Sequence, residues 1–243
     1  MIRFSKKYRS DQAEIMDDFQ LQGDEMKKLL TDLDRVNRYL GGNQITLSGL
    51  STLLKGQPKD RTYHILDLGC GDGQLLRRCA RWGKQRGYRF HCLGVDANAH
   101  ILEEARRRSQ DYSNIAYKQL DAFDVDSPLP EFDIGLCTLF LHHFDQQRIQ
   151  WLLSRMSEQA GLGIVVNDLQ RSIWAFRLFK LISPALLRTR IARHDGLVSI
   201  ARSFRREELL KLAQAIPGFH QIRWRWAFRY QWIINKTANS ITL

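Results

Sequence analysis

Short apolar runs alternate with amphipathic stretches through the middle of the chain. Five runs have the length and composition of buried strands, at residues 63–68, 90–95, 115–119, 132–137 and 163–166. Apolar side chains recur at helical spacing over 74–86, from 98 to about 109, and after Asp145, a candidate helix N-cap. Strand and helix alternate across residues 61–168, which predicts a parallel sheet with helices on both faces.

The regions outside this core have patterns of their own. Residues 11–55 contain an amphipathic helix that ends at Gly41 and Gly42, followed by a second short helix that stops at Gly56. Near the other end, two aromatic, β-prone runs at 220–226 and 230–235 are joined by a short turn and predict a hairpin. Residues 171–193 mix apolar and basic side chains, and Pro184 predicts a break of this segment into two pieces.

The first predicted strand ends in a glycine-rich turn. Gly69, Gly71 and Gly73 remove Cβ atoms at alternate positions, where the backbone must turn sharply and a ligand can come close. A helix follows at once, so we expect a cofactor to lie against its N-terminus. A dinucleotide-binding fingerprint requires a glycine at the sixth position from Gly69, and that position is Gln74. The dinucleotide pattern therefore does not fit.

The pattern present, Asp-x-Gly-x-Gly-x-Gly from Asp67, resembles motif I of the class I S-adenosylmethionine-dependent methyltransferases. The resemblance covers most of the predicted core and implies S-adenosylmethionine as cofactor and S-adenosylhomocysteine as product. It also implies an α/β, Rossmann-like fold with a seven-stranded, mostly parallel sheet, an antiparallel last strand and an N-terminal helical lid. The apolar turn and paired histidines at 142 and 143 resemble the ubiquinone/menaquinone-type and related small-molecule methyltransferases.

Acids follow the next two strands of the predicted sheet. Asp96 ends the second predicted strand, the position from which a carboxylate can accept hydrogen bonds from the ribose hydroxyls of a cofactor. The alternative is that Asp96 is the N-cap of the helix that follows. The resemblance implies that Asp121 contacts the adenine amine; the alternative is a plain turn acid. In similar enzymes the N-terminal helices cover the cofactor, so Arg38 either reaches the methionine carboxylate or is solvated. The predicted cofactor residues are Arg38, Asp67, Gly69, Cys70, Gly71, Gly73, Asp96, Ala97, Asp121, Ala122, Phe123, Cys137 and Thr138.

The expected chemistry is in-line attack of an acceptor oxygen, nitrogen or carbon on the methyl group. Proximity, alignment and exclusion of water supply most of the catalysis, which leaves one proton to be removed. A histidine suits this task for a phenol or enol acceptor. His143 and His142 are the first candidates, followed by His194 and then Asp168. The alternative for the pair is ordinary packing where a strand passes into a helix.

The patterns predict one methyltransferase domain over residues 1–243. Its parts are a helical lid at 11–58, the cofactor-binding core at 61–170, an acceptor-lid insertion at 171–200, and a C-terminal helix and hairpin at 201–243. The insertion is basic and strongly apolar. We expect it to roof the acceptor pocket; packing on the core and contact with an anionic membrane surface are the alternatives.

The net charge of +11, from 37 basic and 26 acidic residues, invites a nucleic-acid interpretation. The arginines are dispersed, however, and Arg223, Arg225 and Arg229 alternate with aromatic residues as in a strand with one solvated face. The turn after the fourth strand lacks the prolines typical of base methylation. We therefore expect O- or C-methylation of a small aromatic, polyketide-like or lipid-quinone acceptor, in quinone or secondary-metabolite biosynthesis. An RNA methyltransferase is the alternative.

The cysteines and the N-terminal residues bear on metal binding and on the cellular compartment. The four cysteines fall in the predicted core or the glycine turn without metal-like spacing, so we predict no metal site. The N-terminal residues lack the apolar block of a signal peptide, and no stretch reaches the ~18 apolar residues of a membrane span. A cytoplasmic protein is the expectation, and no oligomeric state follows from the sequence.

Overall fold

A computed structural model describes residues 2–18 and 21–237, in which seven strands form one sheet. The strands are β1 (Thr62–Leu68), β2 (Arg89–Asp96), β3 (Ile115–Gln119), β4 (Ile134–Thr138), β5 (Gly163–Leu169), β6 (Phe219–Arg225) and β7 (Arg229–Asn235). Their order is β3-β2-β1-β4-β5-β7-β6, and β7 runs antiparallel to both of its neighbours. The predicted Rossmann-like sheet with an antiparallel last strand is confirmed. The predicted lid and C-terminal segment extend over residues 19–20 and 238–243, which lie outside the described residues.

Eight α-helices accompany the sheet in the described part of the chain. They are α1 (Gly23–Tyr39), α2 (Gly42–Leu53), α3 (Gln74–Arg86), α4 (Ala99–Arg108), α5 (Gln146–Gln159), α6 (Ile173–Leu186), α7 (Arg190–Arg202) and α8 (Arg206–Ala215). Two short 3-10 helices, Ile15–Asp17 and Leu141–His143, lie outside them. The side chain of Asp145 accepts a hydrogen bond from the amide of Arg148 and caps α5, as predicted.

Side chains that alternate along β1 divide the core into two clusters. Tyr63 and Ile65 pack with apolar residues of α2 and α3, whereas Leu66 and Leu68 pack with those of α5 and α8. This two-residue period is the signature of a strand buried on both faces. The helices therefore flank the sheet, as the sequence pattern predicted.

Helices α1, α6 and α7 form a cap with its own apolar cluster, which includes Leu29, Phe179 and Ile191. The buried carboxylate of Asp32 accepts hydrogen bonds from the amides of Arg188 (2.9 Å) and Thr189 (2.7 Å). A buried carboxylate is stable only when its oxygens are hydrogen-bonded, so this contact fixes α1 against the start of α7. Among the described residues, the helices are too short or too polar to cross a membrane.

The prediction that Pro184 divides the 171–193 segment is wrong. Helix α6 continues through Pro184 to Leu186, and the amide of Leu187 still donates to the Ser183 carbonyl at 2.8 Å. Pro184 has no N–H and so removes one backbone hydrogen bond from α6, and the helix ends two residues beyond it. The segment breaks after Leu186 instead, and Thr189 then caps α7.

Candidate active site

The glycine turn after β1 requires residues without a Cβ atom for two separate reasons. Gly69 and Gly71 have φ angles of 65° and 53°, in the left-handed region that favours glycine. A Cβ on Gly69 would lie 2.3 Å from Cδ2 of Phe140, so this position is closed by packing. A Cβ on Gly71 would meet nothing within 4 Å. Gly71 therefore presents open backbone to the cavity that it lines.

Asp96 lies at the carboxyl end of β2, next to the turn. Its Oδ2 accepts a hydrogen bond from the Gly71 amide at 3.1 Å, and its Oδ1 accepts one from the Asn98 amide at 3.0 Å. Helix α4 is capped by the side chain of Asn98, so the N-cap alternative for Asp96 is wrong. Burial raises the pKa of Asp96, and the backbone hydrogen bonds oppose that shift. The carboxylate is thus oriented by the chain and retains lone pairs for a ligand.

A cavity of about 770 Å³ begins at this turn. That volume is within the usual range for a small-molecule or cofactor site. Nine of the predicted cofactor residues line it at the ends of β1, β2 and β3: Asp67, Gly69, Cys70, Gly71, Asp96, Ala97, Asp121, Ala122 and Phe123. Thr138 joins them from the end of β4. The strands are parallel, so their carboxyl ends meet at one edge of the sheet, which is where open α/β sheets bind ligands.

Two polar side chains in this part of the cavity have buried atoms without partners. Among the described residues, Nδ2 of Asn98 and Nε2 of Gln74 make no hydrogen bond, and both residues line the cavity. An unsatisfied buried donor is costly unless a ligand or water accepts from it. Together with the Asp96 carboxylate and the open face of Gly71, these donors fit a polar ligand of nucleoside type. The residues present therefore fit an adenosyl cofactor.

Four predicted site residues do not line the cavity. Two of them are Gly73, in the glycine turn, and Cys137, in β4. Gly73 faces away because its Cβ position lies 1.8 Å from the hydroxyl of Tyr117, so its glycine is required by packing. Cys137 is fully buried, with its Sγ 3.9 Å from the sulfur of Met156. Gly73 and Cys137 therefore do not face the cavity, and their predicted cofactor contacts are wrong.

The other two predicted residues outside the cavity lining, Arg38 and His194, belong to the cap. Arg38 is exposed near the end of α1, and its neighbour Asn37 lines the cavity instead. His194 is half-buried and pairs its Nδ1 with Oδ1 of Asp195 at 2.9 Å. Asp195 lines the cavity and His194 does not. The helical spacing of this region did not reveal which side of each helix faces inward.

The paired histidines lie in the 3-10 helix that follows β4, and both line the cavity. His142 is buried, with Nδ1 2.7 Å from Oδ1 of Asp168 and Nε2 3.2 Å from Oε1 of Glu14. Nδ1 of His143 lies 2.9 Å from Oδ1 of Asp17. The angles at the Glu14 and Asp17 contacts are poor for hydrogen bonds, so both are close electrostatic contacts.

Charge distinguishes the two histidines. Burial alone would lower the pKa of His142, but the carboxylates of Asp168 and Glu14 outweigh it and raise the pKa to about 9. Burial likewise opposes ionisation of Glu14 and Asp168, and His142 holds the pKa of both acids below the ordinary value. At neutral pH His142 is therefore a cation between two carboxylates and has no free lone pair. His143 is the better candidate base.

Sequence reasoning placed residues 11–18 in the helical lid but did not single out Glu14 and Asp17. The N-terminal strap, residues 2–18, is held by the amides of Ile15 and Met16, which donate to the Asp195 carboxylate at 2.8 and 2.9 Å. Arg9 also donates to the carbonyl of His142 at 2.8 Å. The strap lies far from the histidines in sequence and has no periodic apolar pattern, so no local signal pointed to its two acids.

The same cluster contains the donor set of a transition-metal site. Ligand atoms of Glu14, His142 and His143 lie within 4.8 Å of one another. Imidazole and carboxylate groups bind such metals, and a carboxylate on the far nitrogen of a ligating histidine is common. Here Asp168 and Glu14 already compensate the charge of His142, and Asp17 lies beside His143. A chelator distinguishes a bound metal ion from a metal-free network of charged side chains.

The histidine network is expected to make stability depend on pH. The pKa of His142 is about 9 in the folded chain against an ordinary 6.5, so its stabilisation is complete below pH 6.5 and is lost as pH rises through 9. We expect the free energy of unfolding in urea to fall by about 3 kcal/mol over this interval. In His142→Gln this alkaline loss should largely disappear, whereas His194→Gln, outside the His142 network, should keep it. An unchanged alkaline loss in His142→Gln would contradict the assignment of charge.

The sheet order, the glycine turn after β1 and the carboxylate after β2 together define the class I S-adenosylmethionine-dependent methyltransferase fold. Residues 65–159 match the family model described as "Methyltransferase domain". Residues 65–159, less than half of the chain, thus resemble a methyltransferase domain. The quinone-type branch stays a prediction.

Similar proteins agree with this class. Uncharacterized methyltransferases of Mycobacterium tuberculosis and Mycobacterium bovis are 28% identical over 120 residues, which cover 46% of this chain and 56% of each relative. The match thus spans about half the length of these curated relatives. Among solved structures, the plantazolicin methyltransferase BpumL in complex with SAH has a TM-score of 0.63 at 15% identity, covering 87% of this chain and 90% of that one. The CurJ carbon methyltransferase has a TM-score of 0.57 at 16% identity, covering 80% and 54%. At these identities the structures show a shared fold.

Proposed function

We propose that this chain transfers a methyl group from S-adenosylmethionine to a small, apolar acceptor that carries an acidic hydroxyl or enol. One observation carries the proposal: a single cavity joins the glycine turn and Asp96 to the paired histidines and to an apolar wall. The first part suits the cofactor, the second removes a proton, and the third selects the acceptor. This order follows the sheet from β3 across β1 and β4 to β5.

The residues around the turn would hold the cofactor. The carboxylate of Asp96 is placed to accept hydrogen bonds from the ribose hydroxyls, and Ala122 and Phe123 offer apolar surface to the adenine ring. Phe123 is held by Phe144, whose ring centroid lies 4.4 Å away, and by the Arg148 guanidinium at 4.1 Å. When bound, S-adenosylmethionine supplies a methyl group that is already activated on a sulfonium.

The cap supplies the apolar wall of the cavity. The apolar wall residues are Leu30, Leu33 and Val36 of α1, Ala175, Leu178, Phe179 and Ile182 of α6, and Ala192 and Ile200 of α7. Among the described residues, the arginines that line the cavity are Arg148 and Arg229, and burial lowers the pKa of Arg229 to about 10. A polyanionic substrate needs a groove rich in basic groups. This lining favours an apolar acceptor over RNA.

The histidine cluster suits a single proton transfer. His143 is half-buried and lines the cavity, and Asp17 beside its Nδ1 favours the tautomer with the proton on that atom. Nε2 of His143 is then free to accept the proton of the acceptor hydroxyl as its oxygen attacks the methyl group. His142, as a cation paired with Glu14 and Asp168, fixes the position of its neighbour. The cap helices exclude water from the reacting atoms.

Transfer of labelled methyl groups tests this function. The chain is incubated with S-adenosylmethionine labelled on its methyl group and with two acceptor sets, alkyl-substituted phenols and tRNA. We expect label in the organic extract of the phenol reactions, because the wall of the cavity is apolar, and an unchanged rate after addition of EDTA. Label in tRNA alone would overturn the proposal in favour of RNA methylation. A rate that EDTA abolishes and Zn²⁺ or Mn²⁺ restores would assign Glu14, His142 and His143 to a metal.

A further inference from the structure

Helix α6 presents an apolar stripe to solvent. Trp174 and Leu181 are 62% and 76% exposed. Leu178, which lies between them in sequence, and Ile182, which follows Leu181, are also exposed. Positions 174, 178, 181 and 182 lie on one side of a helix. The opposite side, with Ala175 and Phe179, is buried against α1 and α7. A contiguous patch of exposed apolar side chains often marks a surface that binds a protein, a membrane or a ligand.

The charged residues along this stretch of the sequence are basic. Residues 169–194 contain six arginine and lysine residues and no aspartate or glutamate, and of the six Arg171 is buried and paired with Glu208. Arg177 and Lys180 are exposed on α6 itself, and Arg188 is exposed just after it. The Arg177 guanidinium lies 5.9 Å from the ring centroid of Trp174. The exposed side of α6 therefore carries both apolar and cationic groups, with Lys180 at one edge and Ile182 at the other. We name this side the α6 face: Trp174, Arg177, Leu178, Lys180, Leu181 and Ile182.

The α6 face also borders the cavity. Leu178 and Ile182 are exposed to solvent and line the cavity at the same time. Trp226, in the turn between β6 and β7, does the same. The cavity therefore opens beside the apolar stripe, and a ligand that crosses this opening contacts apolar side chains throughout.

We propose that the α6 face docks the protein on an anionic membrane surface. Trp174, Leu181 and their apolar neighbours would enter the boundary between headgroups and acyl chains, where tryptophan is favoured, and Arg177 and Lys180 would contact anionic headgroups. A second copy of the chain is disfavoured as occupant, because it would bring an equally cationic face against this one. If the proposed function holds, an apolar acceptor passes from the bilayer directly into the cavity.

Vesicle flotation of the full chain tests the docking surface. We expect binding to phosphatidylcholine vesicles that contain phosphatidylglycerol, at least tenfold weaker binding to phosphatidylcholine alone, and a loss of binding at high salt. W174E/L181E should lose binding at least tenfold. The matched control V125E/L210E, which adds the same charge at exposed apolar positions elsewhere, should retain it. R177Q/K180Q should bind at least tenfold more weakly, and K84Q/R86Q, at exposed positions on α3, should not.

The outcomes separate this inference from the proposed function. Absence of binding to anionic vesicles, or equal losses in the test and control variants, overturns the docking surface. A dimer of the native chain that W174E/L181E converts to a monomer also overturns it, since a second copy would then cover α6. Each variant is titrated with S-adenosylhomocysteine, which should bind all of them alike because the changed residues lie outside the cavity lining. Vesicle binding without any affinity for S-adenosylhomocysteine would overturn the proposed function alone.

Discussion

Replacing His143 by glutamine is expected to lower the single-turnover rate of methyl transfer by about a hundredfold or more, the usual effect of losing a general base. His143 lines the cavity beside Asp17, whereas His142 is held as a cation by Glu14 and Asp168. Glutamine keeps a polar side chain of similar reach but cannot take a proton at neutral pH. The affinity for S-adenosylhomocysteine should change by less than about twofold, because the change affects proton removal and not cofactor contacts.

Rapid-quench measurements of the native chain and of matched variants at neutral pH identify the role of His143. Asp17→Asn is expected to slow transfer less, by about tenfold, because Asp17 acts through its neighbour as a positioning residue. His194→Gln is the control, since His194 lies outside the cavity lining. Full activity of His143→Gln at neutral pH would refute the base assignment.

The second large effect concerns the cofactor. Asp96→Ala is expected to weaken binding of S-adenosylhomocysteine by about a hundredfold. A hydrogen bond to a charged group contributes about 1.5–3 kcal/mol, so the loss of two such bonds to ribose hydroxyls corresponds to at least that factor. Asp96 also accepts from the amides of Gly71 and Asn98, so its removal loosens the turn as well.

Calorimetric titration with matched variants separates these contributions. Asp96→Asn keeps one oxygen for the Gly71 amide and should show an intermediate affinity. Asp111→Ala removes an exposed acid just after α4 and should bind as the native chain does. Native-like affinity in Asp96→Ala would exclude Asp96 from the ribose site.

The cofactor half of the site could be predicted because its signals are local. The turn glycines follow directly from the end of β1, and the parallel arrangement brings Asp96 and Asp121 to the same edge of the sheet. Only tertiary packing decided the exceptions. Gly73 turns toward Tyr117, and Arg38 lies on the solvent side of α1.

The acceptor half could be predicted only in part. The paired histidines were visible in the sequence, but their carboxylate partners were not. Glu14 reaches His142, and Ser199 donates to Glu14 at 2.8 Å, across separations of more than a hundred residues. Such contacts leave no periodic pattern, because the only regular element of the described strap is the three-residue 3-10 helix Ile15–Asp17. The charge of His142, and hence the choice of His143 as base, follows only from these long-range contacts.

The central claim is that the cavity at the glycine turn binds an adenosyl cofactor of the methyl-transfer type. Isothermal titration of the native chain with S-adenosylhomocysteine, and separately with NAD⁺, tests it most directly. The account predicts saturable binding of one S-adenosylhomocysteine per chain and no binding of NAD⁺, in accord with Gln74 at the position where a dinucleotide fingerprint requires glycine. Absence of binding by S-adenosylhomocysteine, or saturable binding of NAD⁺ in its place, would contradict it.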